Sequence, residues 1–224
     1  MKKVCSGVYL VCGGDLPGAG DAMGYLVQGE TLALIDAGAE PSSGHRILDR
    51  IAQAERDPQE IEYLLVTHGH VDHIGGIKPI VEKTGSKVVC HEGDADAIRT
   101  GDPVRTAASW YGISLPQVDI DVVLQGKGGQ IAGLNWIHTP GHTPGSLAFT
   151  FESEDGLVLF GQDIHGPFSH DFESNISLWA QSMKELIALE ADILCEGHFG
   201  VYRGKQKVRD FIEQHLQAYG YFQY

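Results

Sequence analysis

Three histidines and an aspartate stand within six residues, His68-Gly69-His70-Val71-Asp72-His73, directly after the apolar run Tyr63-Leu64-Leu65-Val66-Thr67. Neutral imidazole and carboxylate are the usual donors to zinc and similar divalent metals. A short glycine-containing segment lets several of them converge at little loop-closure cost. A merely solvated loop would favour Ser, Asn and Gly over adjacent imidazoles. One metal could hardly use all four donors, so the motif implies a metal-binding segment at the end of a strand.

Further apolar runs stop in the same manner, at a His or Asp held by small residues: Asn135-Trp136-Ile137-His138-Thr139-Pro140-Gly141-His142, Leu157-Val158-Leu159-Phe160-Gly161-Gln162-Asp163 and Asp192-Ile193-Leu194-Cys195-Glu196-Gly197-His198. Loops at strand ends, positioned by a rigid sheet, are where α/β and mixed folds place their sites. Taken singly, a His after a strand is more often a hydrogen-bonded structural residue. Taken together, these ends point to one shared centre.

Periodicity predicts strands over 8–12, 25–27 and 32–35, a helix over 44–55 capped by Ser42 or Ser43, a strand over 62–67, a helix over 73–83 closed by Gly85 and a strand over 87–90. Residues 92–116 read as helical and irregular. Strands follow over 118–124, 130–132, 134–138, 146–151 and 157–160, then a helix over 177–189, a strand over 192–195 and an amphipathic helix over 205–219. The Gly/Pro-rich stretch 13–21 reads as a flexible loop, with a flap over the site and an ordinary connection as its two alternatives.

A chain of 224 residues can bury a substantial core, and nothing in it resembles a linker, so residues 1–224 read as a single domain. Sixteen Lys and Arg against thirty Asp and Glu give a net charge of −14, which repels a phosphate backbone, and no basic cluster offsets it. The expected partner is a small-molecule substrate, not nucleic acid or a membrane; a homodimer is left open by periodicity alone. Met1-Lys2-Lys3 precedes no apolar run of signal-peptide length, which predicts a cytoplasmic protein. Cys5, Cys12, Cys90 and Cys195 form no Cys-x-x-Cys pair and read as free buried thiols, with a Cys5–Cys12 bridge as the lesser alternative.

The combined pattern, His68-x-His70-x-Asp72-His73, Thr139-Pro140-Gly141-His142, Gly161-x-Asp163 and Gly197-His198, with the early Asp36-Ala37-Gly38, resembles the metallo-β-lactamase superfamily. The resemblance implies a four-layer αβ/βα sandwich of the α+β or α/β class, two mixed sheets with helices on the outer faces. It also implies a dinuclear site in which His68, His70 and His142 hold one metal, Asp72, His73 and His198 the other, and Asp163 bridges them. Asp36 is then a structural residue behind the ligands. The cofactors expected are two divalent ions, zinc foremost, with iron or manganese compatible.

Metal coordination brings the pKa of bound water from about 15.7 toward about 7, so the expected chemistry is hydrolysis by a metal-bridging hydroxide, with Asp72 as the catalytic carboxylate. No Gly-x-Ser-x-Gly elbow, P-loop or dinucleotide fingerprint offers another route. An aspartate at position 163 is more similar to the glyoxalase II and lactonase-like branches than to lactam-hydrolysing members. Only residues 199–224 follow His198, which counts against the glyoxalase II C-terminal region and its glutathione-thioester specificity.

The leading function is therefore hydrolysis of a small ester, thioester or lactone. Alternatives are a phosphodiester hydrolase, an iron-dependent sulfur dioxygenase and, outside enzymes, a metal-binding sensory domain. His165 and His170 are candidates for substrate binding, against incidental histidines in a polar loop. Trp110 and Tyr111 are expected to pack more readily than to line a pocket, and His91 and His138 to be hydrogen-bonded rather than ligands. His45 and His215 read as surface residues, and the aromatic terminus 219–224 as docked on the protein's own body.

Overall fold

Apolar residues in the inner strands alternate between two different cores, and that alternation sets the layers. The computed structural model describes residues 1–18 and 20–221. β1 (Lys2–Cys5), β2 (Val8–Cys12), β3 (Gly24–Gln28), β4 (Leu32–Ile35), β5 (Ile61–Leu65), β6 (Lys87–His91) and β7 (Val122–Leu124) form one sheet in that order. β8 (Gly128–Ile131), β9 (Leu134–His138), β10 (Leu147–Ser153), β11 (Gly156–Phe160), β12 (Ile193–Cys195) and β13 (Val201–Arg203) form a second, ordered β13-β12-β11-β10-β9-β8. Both are mixed: β4 to β7 run parallel in the first, and β11 with β12 in the second.

Side chains on successive strand residues point to opposite faces. In β4, Ala33 and Ile35 enter the core between the sheets while Leu32 and Leu34 face outward. In β11, Val158 and Phe160 face the same central core and Leu159 the opposite side. Strands buried on both faces explain why these runs are almost uninterruptedly apolar. The outward faces are covered by α1 (Pro41–Gln53), α3 (Ile77–Thr84) and α4 (Glu92–Thr100) on the first sheet and by α6 (Ile176–Ala188) and α7 (Lys205–Ala218) on the second. Each fully buried Leu, Ile or Phe contributes about 1.5–3 kcal/mol relative to exposure. The result is the expected αβ/βα sandwich. No helix among the described residues is long and apolar enough to cross a membrane.

Several local expectations shift. α1 begins at Pro41 because Glu40 is its N-cap, with Ser43 Oγ accepting the Glu40 amide at 3.2 Å in a capping box. The helix expected over 73–83 is two pieces, α2 (Val71–Ile74) and α3, parted at Gly75-Gly76. Residues 92–116 resolve into α4 and the short α5 (Ala108–Tyr111), and the strand expected over 118–124 pairs only from Val122. β1 and β13 are short edge strands that periodicity missed.

All four cysteines are free and buried. The 13–21 loop leans on its surroundings, with Asp15 paired to Lys2 at 2.8 Å and the Pro17 carbonyl accepting from Arg50; Ala19 lies outside the described residues. Tyr219 donates to the His165 carbonyl at 3.1 Å, and Tyr221 contacts Ser177 at 2.9 Å, so the tail docks on its own body this far. Residues 222–224 lie outside the described residues.

Candidate metal centre

β4, β5, β9, β11 and β12 all end at one edge of the sandwich, and the loops that leave them carry the donors named from sequence. After β5, the Val66 amide makes a last bond to Val89 at 2.8 Å, and the chain turns so that His70 becomes the N-cap of α2. Asp72 and His73 then fall in the first turn of α2. Gly75 and Gly76 permit this: a Cβ on Gly75 would meet the Ala39 carbonyl oxygen at 1.9 Å, and one on Gly76 the Ala37 oxygen at 2.2 Å. The turn after β4 therefore closes on the ligand segment, with the Ala37 amide donating to His73 at 2.7 Å.

The donors converge in two groups that share Asp163. His70 Nδ1 stands 3.2 Å from His68 Nε2 and 3.0 Å from His142 Nε2. Asp163 Oδ2 lies 3.6 Å from His68 Nε2 and 3.4 Å from His142 Nε2. Asp163 Oδ1 points the other way, 3.3 Å from both His73 Nε2 and His198 Nε2, and Asp72 Oδ2 is 3.2 Å from His198 Nε2 and 3.6 Å from His73 Nε2. Donors at about 2.0–2.1 Å from a tetrahedral centre lie about 3.3–3.4 Å from one another, so these spacings suit divalent ions. His73 Nε2 and Asp163 Oδ1 are moreover buried with no hydrogen-bond partner, an expensive arrangement that a shared cation relieves.

Electrostatics divides the groups. Burial first, then the charge of His73, holds His68 well below the ordinary imidazole range, and burial with His142 does the same for His70. Burial also opposes the charged form of His73, but Asp163, Asp72 and Asp36 outweigh it and raise His73 well above that range. His198 follows: burial is outweighed by contacts with Asp163 and Asp72, which push it up to about 10. Burial would raise Asp163, yet His73, His142 and His198 hold its carboxyl well below the usual range, and His73 and His198 lower Asp72 in the same way. Neutral imidazoles and ionised carboxylates are the forms that ligate metal.

Behind the donors, Asp36 accepts from His73 Nδ1 at 2.7 Å and from the amide and hydroxyl of Thr67 at 2.9 and 2.8 Å. Such outer contacts fix ring orientation and tautomer. His142 Nδ1 donates to the Pro167 carbonyl at 2.8 Å, which leaves Nε2 as the donor atom. Asp94 went unnoticed in the sequence, although a carboxylate at helical spacing with Ala97 and Ile98 on the buried face of α4 was a signal. It accepts from the Gly69 amide at 2.8 Å, Thr143 Oγ1 at 2.7 Å and the Gly145 amide at 2.8 Å, tying the loop of His68 and His70 to that of His142. Glu196, fully buried, was missed as well and accepts from the His198 and Phe199 amides at 2.7 and 2.8 Å.

His165 joins the edge of the centre, whereas His170 is exposed and belongs to neither donor group. His91 and His138 stack at 3.7 Å and bond to backbone carbonyls, the hydrogen-bonded role expected of them. His45 is exposed, but His215 is half-buried against Phe211, its ring 4.7 Å away. Trp110 and Tyr111 do not enter a core: they are 51% and 60% exposed. Trp110 packs on Phe172, which in turn lies edge-on to His70 with centroids 4.4 Å apart. Burial, then the charges of Asp72 and Asp163, push the Tyr111 hydroxyl up. Phe199, 57% exposed, packs against His165 with ring centroids 4.8 Å apart. Exposed aromatic rings therefore neighbour both donor groups, Trp110 by way of Phe172 and His70, and Phe199 by way of His165.

Comparison with known proteins agrees with this fold. The sequence model of the metallo-beta-lactamase superfamily matches residues 17–198, and the chain belongs to that superfamily of metallo-hydrolases. It is 28% identical over 217 residues to the probable metallo-hydrolase YflN of Bacillus subtilis, covering 82% of this chain and 81% of that one. It is 30% identical over 156 residues to a hydroxyacylglutathione hydrolase of Cereibacter sphaeroides, covering 66% of this chain but only 51% of that protein. The FEZ-1 metallo-beta-lactamase from Legionella gormanii superposes with a TM-score of 0.79 over 97% of this chain and 93% of its own at 19% identity, a likeness of fold.

Proposed function

We propose that the chain hydrolyses small esters, thioesters or lactones at a two-metal centre in which His68, His70 and His142 hold one divalent ion, Asp72, His73 and His198 the other, and Asp163 spans both. The observation that carries this reading is the aim of Asp163, with Oδ2 toward His68 and His142 and Oδ1 toward His73 and His198. Imidazole-rich donors favour zinc, and the carboxylates keep iron and manganese compatible. Ions bound there would supply an activated water near neutral pH and stabilise the anion that develops on an attacked carbonyl.

The chain's own residues do the rest. Asp72, 3.2 Å from His198 in the second group, is the carboxylate assigned to accept a proton as water attacks. Trp110, which packs on Phe172 beside His70, and Phe199, which packs on His165, are exposed and offer apolar surface to the acyl part of a small substrate. The name of the hydroxyacylglutathione hydrolase relative states acyl hydrolysis, which supports an acyl over a phosphoryl substrate. A net charge of −14 is consistent with a small-molecule substrate rather than nucleic acid.

Elemental analysis of freshly purified protein, alongside hydrolysis of a thioester, lactone and phosphodiester panel, tests the reading. Two ions per chain with turnover of the acyl substrates is the expected result. One iron per chain, no hydrolysis and oxygen uptake with a persulfide would replace it with oxidative sulfur chemistry.

A further inference from the structure

We infer that His165 is an additional ligand of the ion held by Asp72, His73 and His198, kept in place by the buried carboxylate of Glu196; the inference rests on the two-metal reading above. His165 lies on the loop that leaves β11 just after Asp163. The donor atoms of Asp163, His165 and His198 all lie within 4.8 Å of one another, and the rings of His165 and His198 meet edge-on with centroids 5.1 Å apart.

Its partner shows which nitrogen is available. His165 Nδ1 is 2.7 Å from Glu196 Oε1, while Glu196 Oε2 takes the His198 and Phe199 amides at 2.7 and 2.8 Å. A fully buried carboxylate with these partners is the natural acceptor of the Nδ1 proton, which leaves a lone pair on Nε2. The same device holds His73, whose Nδ1 is 2.7 Å from Asp36 and whose Nε2 faces Asp72 and Asp163. A carboxylate behind an imidazole is the usual way a metal-binding ring is oriented. The Tyr219 hydroxyl bonds the His165 carbonyl at 3.1 Å, and Phe199 packs on the ring at 4.8 Å, so the residue is held from its backbone and from outside. Since the Glu196 carboxylate also receives the His198 amide, one acid places both rings. His165 would thus add a donor to the second ion on the side of Asp163 and His198, against three imidazoles and Asp163 for the first.

The test titrates the full chain, stripped by chelator, with Zn(II) and separately with Co(II), following uptake by competition with a chromogenic chelator and by the visible Co(II) spectrum. Wild type should take up two equivalents. His165→Ala should leave the first unchanged, weaken the second at least about tenfold, as loss of metal-site contacts does, and alter the Co(II) bands of the second equivalent. His165→Gln keeps an N–H for Glu196 but removes the imidazole, so its second equivalent should weaken equally while melting stays near wild type. His170→Ala should behave as wild type. Second-equivalent affinity and Co(II) bands at wild-type values in both His165 variants would overturn the inference with the two-metal reading intact. Uptake of a single ion by wild type would remove that reading, and the inference with it.

Discussion

The two donor groups differ although they share Asp163. His68, His70 and His142 are buried, and burial keeps His68 and His70 in the neutral form that binds a cation at neutral pH. Asp72, His73 and His198 instead pair imidazole with carboxylate, and His198 retains 32% side-chain exposure. Their raised proton affinities mean that a metal entering this group must displace protons. The comparison teaches that one centre can hold a ready half and a conditional half: the first is set by burial, the second by the carboxylates of Asp72 and Asp163 that face His73 and His198.

The most damaging way to break the comparison is to remove what the halves share. Asp163→Ala should lower kcat/KM at least about 10²–10³-fold, the size expected when a preorganised electrostatic contact is lost, and metal analysis should show fewer ions per chain. Removing a donor from one half only should then tell the halves apart. His198→Ala should retain one tightly held ion and lose the other, whereas His68→Ala should weaken the tight one; equal losses in both variants would erase the distinction.

A smaller effect is expected from the contact that ties loops together. Asp94→Ala leaves the Gly69 amide, Thr143 and the Gly145 amide without their acceptor. It should weaken metal affinity about 10–100-fold through misplacement of His68, His70 and His142, with His73 and His198 little affected, as isothermal titration would show. The smallest effect is one of pH on metal-free protein. His198 is raised from the ordinary imidazole range of about 6.5 to about 10, so between those values the folded chain binds more protons than the unfolded one. The stabilisation from this group is therefore full below the lower value and lost as pH rises through the upper one. Thermal melting of stripped wild type should fall by a few degrees across that window, and His198→Ala should flatten the change.

Much of this was legible from residues alone. The alternation of β4 and the continuous apolar run of β11 report burial on two faces, a property of each strand's own side chains. Boundaries were less legible where a distant contact decides them: the gap between α2 and α3 follows from the carbonyls of Ala37 and Ala39, and the register of β7 on β6 begins at Val122 opposite Val89. The exposure of Trp110 and Tyr111 is not legible either, because an aromatic in a short irregular segment carries no mark of which side faces solvent.

By itself, the sequence determined the order of the inner strands and longer helices and the donor types that end those strands, since period-2 burial and ligand chemistry are written in neighbouring residues. Only the tertiary structure decided that Asp163 turns one oxygen to each group, that Asp94 joins two ligand loops and that Glu196 orients His165 beside His198. Those contacts join residues far apart in the chain, and no local pattern carries a distance that exists only after the sheets have packed.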